Sequence, residues 1–289
     1  MLVAGWFSFE LMGASAGDLL ARDLVIAWLH EAGIAHDVAV AAPFSDGIDW
    51  RTTDPAAYTH VIFVCGPFGN GPPVDLFIEH FAGSRLIGIN LTMLQPLEEW
   101  NPFETLIERD SSRTERPDLV LLSNAPRVPV VGLVLIDAQP EYAADKRVDV
   151  EAVIRGLIAD NPMAVVDIDT RLDVNRHGLR TAAEVESLIA RMDVVITTRL
   201  HGTVLAVKHG VPVIAIDAVA GGAKIARQVR ALGWPIAFGA EDLTPAALRQ
   251  AFAFCLTSEA RALARRCRRD AVTRLSSVKR QFLDALRDA

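Results

Sequence analysis

Residues 193–217 read DVVITTRLHGTVLAVKHGVPVIAID. A β-branched apolar run, VVITT, gives way to a polar break at Arg199, Leu200, His201 and Gly202. A short segment with helical spacing follows, and after Gly210 a second apolar run, VPVIAID, completes the stretch. Strand, turn, helix and strand in that order make a βαβ unit of a parallel sheet. The break falls where the strand hands over to the helix. A helix opening near Thr203 presents unpaired amides and the positive end of its dipole at that turn. Arg199 adds a planar guanidinium able to grip carboxylate or phosphate oxygens in a forked pair. A bound dianion would also favour a proton on His201, making it an acid charged by its own substrate. The blander alternative for His201 is a ring that merely hydrogen-bonds a loop carbonyl. Gly202 allows close backbone approach to whatever is bound.

The same rhythm extends in both directions. Downstream, VAGGAKIARQVRALG sets Lys224 after Gly221 and Gly222 at the start of a helix that Gly233 closes, a second cation one βα unit further on. Upstream, VPVVGLVLID and MAVVDID read as strands, and TAAEVESLIARM as a helix opened by a Thr181/Glu184 capping box. In the first half LVAGWF, HDVAVAAP, HVIFVCGP and SRLIGIN are strand-like, and GDLLARDLVIAWLHEAG is helical up to Gly33. Gly17 and Asp18 stand at the head of that helix, where Asp18 can cap it or bind hydroxyls of an acceptor. Proline-rich ERPDLVLLSNAPRVPV separates the two series and contains a linker near 123–128. The expected organisation is α/β, with two Rossmann-like domains of parallel sheet facing across a cleft. They span 1–125 and 126–260, the first on the acceptor side and the second on the donor side, and a basic amphipathic helix covers 261–289. Ligands of such sheets gather beyond the carboxyl ends of the strands.

Composition narrows the partners. Half of the 289 residues are apolar, enough for a sizeable core, and the net charge of −7 argues against nucleic acid. Cys65, Cys255 and Cys267 have no metal-ligand spacing and read as buried residues of a reduced, cytoplasmic protein. The opening MLVAGWFSFE, with Glu10 and no basic start, does not read as a secretory signal. Between Arg261 and Arg280 eight basic residues face one acid, Asp270. The chain's −7 less this +7 leaves −14 for the rest. Leu263, Cys267, Ala271, Leu275, Val278, Phe282 and Leu286 form an apolar stripe through the same region. The plain reading is a final helix docked by that stripe, and the sharper one is peripheral contact with an anionic membrane or a lipid-linked substrate at its inner face.

The stretch 193–217, with GGAKIARQVRALG after it, resembles the polysaccharide pyruvyl transferase family, marked by Arg-Leu-His-Gly, Gly-Val-Pro and a lysine before the next helix. AGWFSFELMGASAGDLLARDLVIAWL is similar to the family's opening, RLIGINLTMLQPL to its central strand and IERDSS to its Arg-Asp-x-x-Ser segment. The resemblance implies a fold in the manner of a GT-B glycosyltransferase. It also implies transfer of the carboxyvinyl skeleton of phosphoenolpyruvate to a sugar or lipid-linked saccharide as a ketal, with phosphate released. Arg199 would then bind the donor, His201 give the proton, and Lys224 and Arg109 add anion contacts. The scheme needs no cofactor besides the donor substrate and no metal. In this chain RDSSRTERPDLVLL runs almost straight through where the family has a longer segment, so Arg109 can instead be an arginine paired to Asp110 or Glu108. Two other functions fit the same architecture: a nucleotide-sugar glycosyltransferase or epimerase, and a non-catalytic relative that binds a sugar or an anion.

Overall fold

The computed structural model of the chain describes residues 1–136, 147–218 and 224–287. They fall into two compact units, Met1–Pro126 and Arg127–Ala289. The first contains β1 (Leu2–Gly5), α1 (Ala16–Glu31), β2 (Asp37–Val38), β3 (His60–Phe68), α2 (Val74–His80), β4 (Arg85–Met93) and β5 (Thr105–Ile107). All five strands are parallel, in the order β2-β1-β3-β4-β5. Alternate side chains serve opposite faces, as the twofold period of a strand requires. Leu2, Ala4, Val61 and Phe63 join one buried cluster with Trp50, Phe77 and Phe81, whereas Val3, Ile62 and Val64 join the other with Ala21, Val25 and Leu29 of α1.

The second unit contains β6 (Val130–Val134), α3 (Arg147–Asp160), β7 (Ala164–Asp167), α4 (Ala182–Ile189), β8 (Val194–Thr197) and α5 (Leu200–Lys208). It continues with β9 (Val213–Asp217), α6 (Lys224–Leu232), β10 (Ala237–Gly239), α7 (Pro245–Cys255), α8 (Ser258–Arg274) and α9 (Val278–Ala285). Its parallel sheet runs β10-β9-β8-β6-β7. Counted along each unit, both sheets have the order 2-1-3-4-5, in which the chain reverses its direction of winding between the first and third strands. That reversal opens a crevice at the strands' carboxyl ends, beside β1 and β3 in one unit and β6 and β8 in the other. Strands β8 and β9 are buried along their whole length, which is why their sequences are continuously apolar.

The basic carboxyl-terminal segment departs from the single helix expected over 261–289. Helix α8 begins at Ser258, with Thr257 as its cap, and stops at Arg274; a turn holding Ser276 and Ser277 separates it from α9. Serine side chains compete for backbone hydrogen bonds and weaken a helix interior, so the paired serines are a natural place to break. Helix α8 docks through Ala260, Ala264 and Cys267; of the expected stripe Cys267 is buried, Leu263 and Ala271 are partly covered, and no residue of α9 is buried.

Candidate functional site

At the end of β8, Thr197 is the hub of the turn that positions Arg199 and His201. Its hydroxyl donates to Val134 O of the neighbouring strand at 3.0 Å and accepts from Arg199 N at 3.0 Å. Thr198 Oγ1 accepts from Ile136 N at 2.8 Å, tying the same turn to the end of β6. Arg199 is thereby fixed as the N-cap residue of α5, with extended backbone, and Thr203 N returns to its carbonyl at 3.2 Å. Gly202 is buried against this turn: a Cβ there would lie 2.3 Å from Thr197 Oγ1. Its lack of a side chain lets α5 approach β8 closely, which is a packing role.

The Arg199 side chain is 18% exposed and reaches toward Asp169, just beyond β7, with Nη1 3.7 Å from Oδ1. That is an ion pair but too long for a hydrogen bond, and Nη1 is buried with no hydrogen-bond partner among the described residues. Asp169 spends its carboxylate on its own loop, accepting from Arg171 N at 2.9 Å and Arg176 N at 3.3 Å. It also lines a cavity of about 220 Å³ with Ile136, Arg155, Arg176 and His177. His201, in the first turn of α5, is exposed, and its ring makes no hydrogen bond among the described residues. Lys224 is exposed as the first residue of α6. Residues 137–146 and 219–223, including Gly221 and Gly222, lie outside the described residues. The turn therefore offers a guanidinium with donor capacity to spare, the first amides of a helix and an accessible imidazole. Together they suit a small anion that is to receive a proton.

The other expected residues gather at the β1/β3 crevice of the first unit. A cavity of about 440 Å³ is lined there by Gly17, Asp18, Arg109, Trp6, Cys65 and Asp118, among others. Asp18 does cap α1, since its Oδ2 accepts from Ser15 N at 2.8 Å and Ser15 Oγ at 2.7 Å. Trp6 lies over Gly66, where a Cβ would come within 2.2 Å of Trp6 Cδ1, and its indole donates to Pro67 O. Arg109 is not arranged as an anion clamp. It is bound to Asp118 at 2.7 Å and Asp110 at 3.2 Å and also donates to Thr92. Pairing with Asp110 was one alternative for it; Glu108 pairs with Arg113 instead. Burial raises the Asp118 carboxyl, but Val120 N, Arg109 and Asn90 outweigh it and hold the group below the ordinary carboxylate range. Burial, with Asp18 adding to it, pushes the Cys65 thiol up to about 11, so it is no nucleophile near neutrality. Two carboxylates, Asp18 and Asp118, line this crevice with one arginine, which Asp110 also engages, and the balance is acidic. It suits hydroxyl donors better than anions.

Sequence reasoning did not find Asp169, Asp118, Cys65 or Asn90. The last two are paired non-glycine residues at φ 66° and 59° in facing strands, joined by Asn90 Nδ2 donating to Cys65 Sγ at 3.4 Å. A φ that is rare for such residues, at the mouth of a crevice, is a mark of a specialised site that no local pattern announces.

Residues 117–218, from the linker through β9, match the family model for polysaccharide pyruvyl transferase. This segment holds Arg199 and His201. No curated protein matches the sequence. Among solved structures the chain is similar to the calicheamicin glycosyltransferase CalG4, at 13% identity over 94% of each chain with a TM-score of 0.37. It is also similar to the spinosyn forosaminyltransferase SpnP, at 15% identity over 96% of this chain and 98% of that one, with a TM-score of 0.33. So slight a likeness carries nothing of those proteins' substrates to this chain.

Proposed function

We propose that the chain transfers the carboxyvinyl skeleton of phosphoenolpyruvate to two hydroxyls of a saccharide, forming a pyruvate ketal and releasing phosphate. The observation that carries this reading is the turn after β8, where a half-buried guanidinium with an unmatched donor stands two residues from an exposed imidazole at a helix N-terminus. Arg199 and the first amides of α5 bind the donor's anionic oxygens, and Lys224 adds a cation from the next turn. His201 gives its proton to the methylene carbon of the donor, and positive charge develops at the adjacent carbon. A sugar hydroxyl attacks that carbon and loses its proton; the carbon–oxygen bond to phosphate breaks and phosphate leaves. A second hydroxyl closes the ketal and loses the other proton, so that one proton ends in the new methyl group and one on phosphate. The acidic crevice of the first unit takes the acceptor, with Asp18 and Asp118 receiving hydrogen bonds from its hydroxyls and Trp6 offering an apolar face.

Phosphate release from phosphoenolpyruvate over a panel of free, nucleotide-linked and lipid-linked saccharides tests the reading. His201→Gln should keep donor affinity while lowering release by roughly 10²- to 10⁴-fold, the usual span for a general acid. Arg199→Ala should weaken donor binding itself, by roughly tenfold to a hundredfold for a lost charge-assisted contact. Donor binding without release on any acceptor would point to the non-catalytic relative, and release that survives His201→Gln would remove the acid from the scheme.

A further inference from the structure

The carboxyl-terminal stripe is docked for only half its length. Beyond Ala271 it continues through Leu275, Val278, Phe282 and Leu286 at steps of three or four, but no described residue covers it. Leu275 is 63% exposed and Phe282 62%. At 100° per residue, Val278, Phe282, Ala285 and Leu286 share one face of α9, and Arg280, Asp284 and Arg287 occupy the opposite one. Seven exposed cations lie between Arg265 and Arg280, with Asp270 the single acid among them. An apolar face inside a cationic field asks for a partner that is both greasy and anionic.

We propose that α9 and the outer face of α8 dock on the surface of an anionic phospholipid bilayer, a role that does not rest on the transfer chemistry. A second copy of the chain fits less well. A two-fold contact would set one copy's cations against the other's. An anionic leaflet answers both halves of the surface at once. Phosphate headgroups meet the arginines, whose carbon stems lie along the interface, and Phe282 and Leu286 enter the acyl boundary just below. No described helix is long and apolar enough to cross a membrane, so this is lateral attachment.

Sedimentation of the full chain with vesicles tests the proposal, using phosphatidylcholine alone and phosphatidylcholine with a third phosphatidylglycerol, at low and high salt. Partition is expected only with the anionic vesicles and should weaken with salt. Arg268→Gln and Arg269→Gln should each lower it about fivefold, the effect of one interfacial cation. Phe282→Ser should lower it about tenfold or more, and because α9 buries nothing the melting temperature should not move. Equal partition into neutral vesicles, no partition at all, or undiminished partition of Phe282→Ser would each overturn the proposal. So would a concentration-dependent oligomer in the absence of lipid that Phe282→Ser dissolves, which would hand the face to a second copy.

Discussion

Replacing Gly202 with alanine loads the joint that holds Arg199 and His201 in place. The new Cβ would sit 2.3 Å from Thr197 Oγ1, 3.0 Å from Thr197 Cβ and 3.1 Å from Val134 Cγ1. The hydroxyl cannot swing aside without losing both its bond to Val134 O and the one it accepts from Arg199 N. Either α5 lifts from β8 or Thr197 rotates. Overpacking by one methyl costs roughly 1–3 kcal/mol, and each buried hydrogen bond lost adds about 1 kcal/mol, so a destabilisation of about 2–4 kcal/mol is expected. Trp234 is the one tryptophan of the second unit, and it is buried with its indole bonded to Val213 O. The fluorine resonance of a fluorotryptophan at this position, followed through urea unfolding, therefore reports this unit alone. A chain of two units need not unfold in one step, which makes that separation necessary. Thr197→Ala removes the clashing oxygen at the cost of its two bonds, so the double variant should lose at least about 1 kcal/mol less than the two single losses combined. Gly202→Ala within about 0.5 kcal/mol of the parent, or strict additivity in the pair, would refute the packing account and return Gly202 to a purely ligand-facing role.

Arg109→Ala should leave donor affinity unchanged, because that guanidinium is already engaged by Asp110 and Asp118; the pairs are partly exposed, so after solvent screening the stability lost is about 1 kcal/mol, measured by urea midpoint. A rise in donor KM would restore Arg109 as an anion ligand. Glu108 is 0% exposed, and although burial raises its carboxyl, Arg113, its own amide and Ser111 hold it below its ordinary 4.5. A folded-state value below the unfolded one contributes stability that is complete above about pH 4.5 and is lost as the pH falls through the folded value, so Glu108→Gln should flatten acid unfolding in that window. An unchanged acid-unfolding curve would remove the pair from the account. All three cysteines are free and buried, with Cys65 raised to about 11 and Cys255 to about 12, burial leading in both. A disulfide reagent at pH 8 should find almost no fast thiol in the native chain and three after unfolding; one fast native equivalent would contradict the burial.

What the sequence could disclose follows from how local each feature is. Strands β8 and β9 were legible because burial on both faces demands an unbroken apolar run. The start of α4 was legible because a capping box closes within four residues: Glu184 N donates to Thr181 Oγ1 at 3.2 Å, and Thr181 N to Glu184 Oε2 at 3.0 Å. Asp169 was not, since its meaning comes from Arg199, thirty residues later, and from amides of its own loop. Cys65 and Asn90 were hidden because HVIFVCGP has the composition of an ordinary strand, and nothing in that run marks the left-handed φ values the two residues adopt. The terminal stripe misled for a related reason. Its period is the same whether a surface waits beneath it or not, so Cys267 and Phe282 look alike in sequence and differ completely in burial.

The two crevices sharpen the point. Strand order is the same in both units, so topology places a ligand site at each switch point without saying what belongs there. Charge makes the distinction. Beside β8 the open groups are a guanidinium with an unmatched Nη1, the first amides of α5 and an exposed imidazole; beside β1 the one arginine is held by two carboxylates and Asp18 lines the remaining wall. A residue's chemical type therefore says little until its partners are known. Arg109 and Arg199 are both arginines beside a crevice, yet carboxylates within hydrogen-bonding distance consume the first, and a carboxylate held 3.7 Å away leaves the second with a donor to offer. Bringing Asp169 into contact would neutralise that donor too. The loop that ties its carboxylate to the amides of Arg171 and Arg176 is thus as much a part of the anion site as the guanidinium itself.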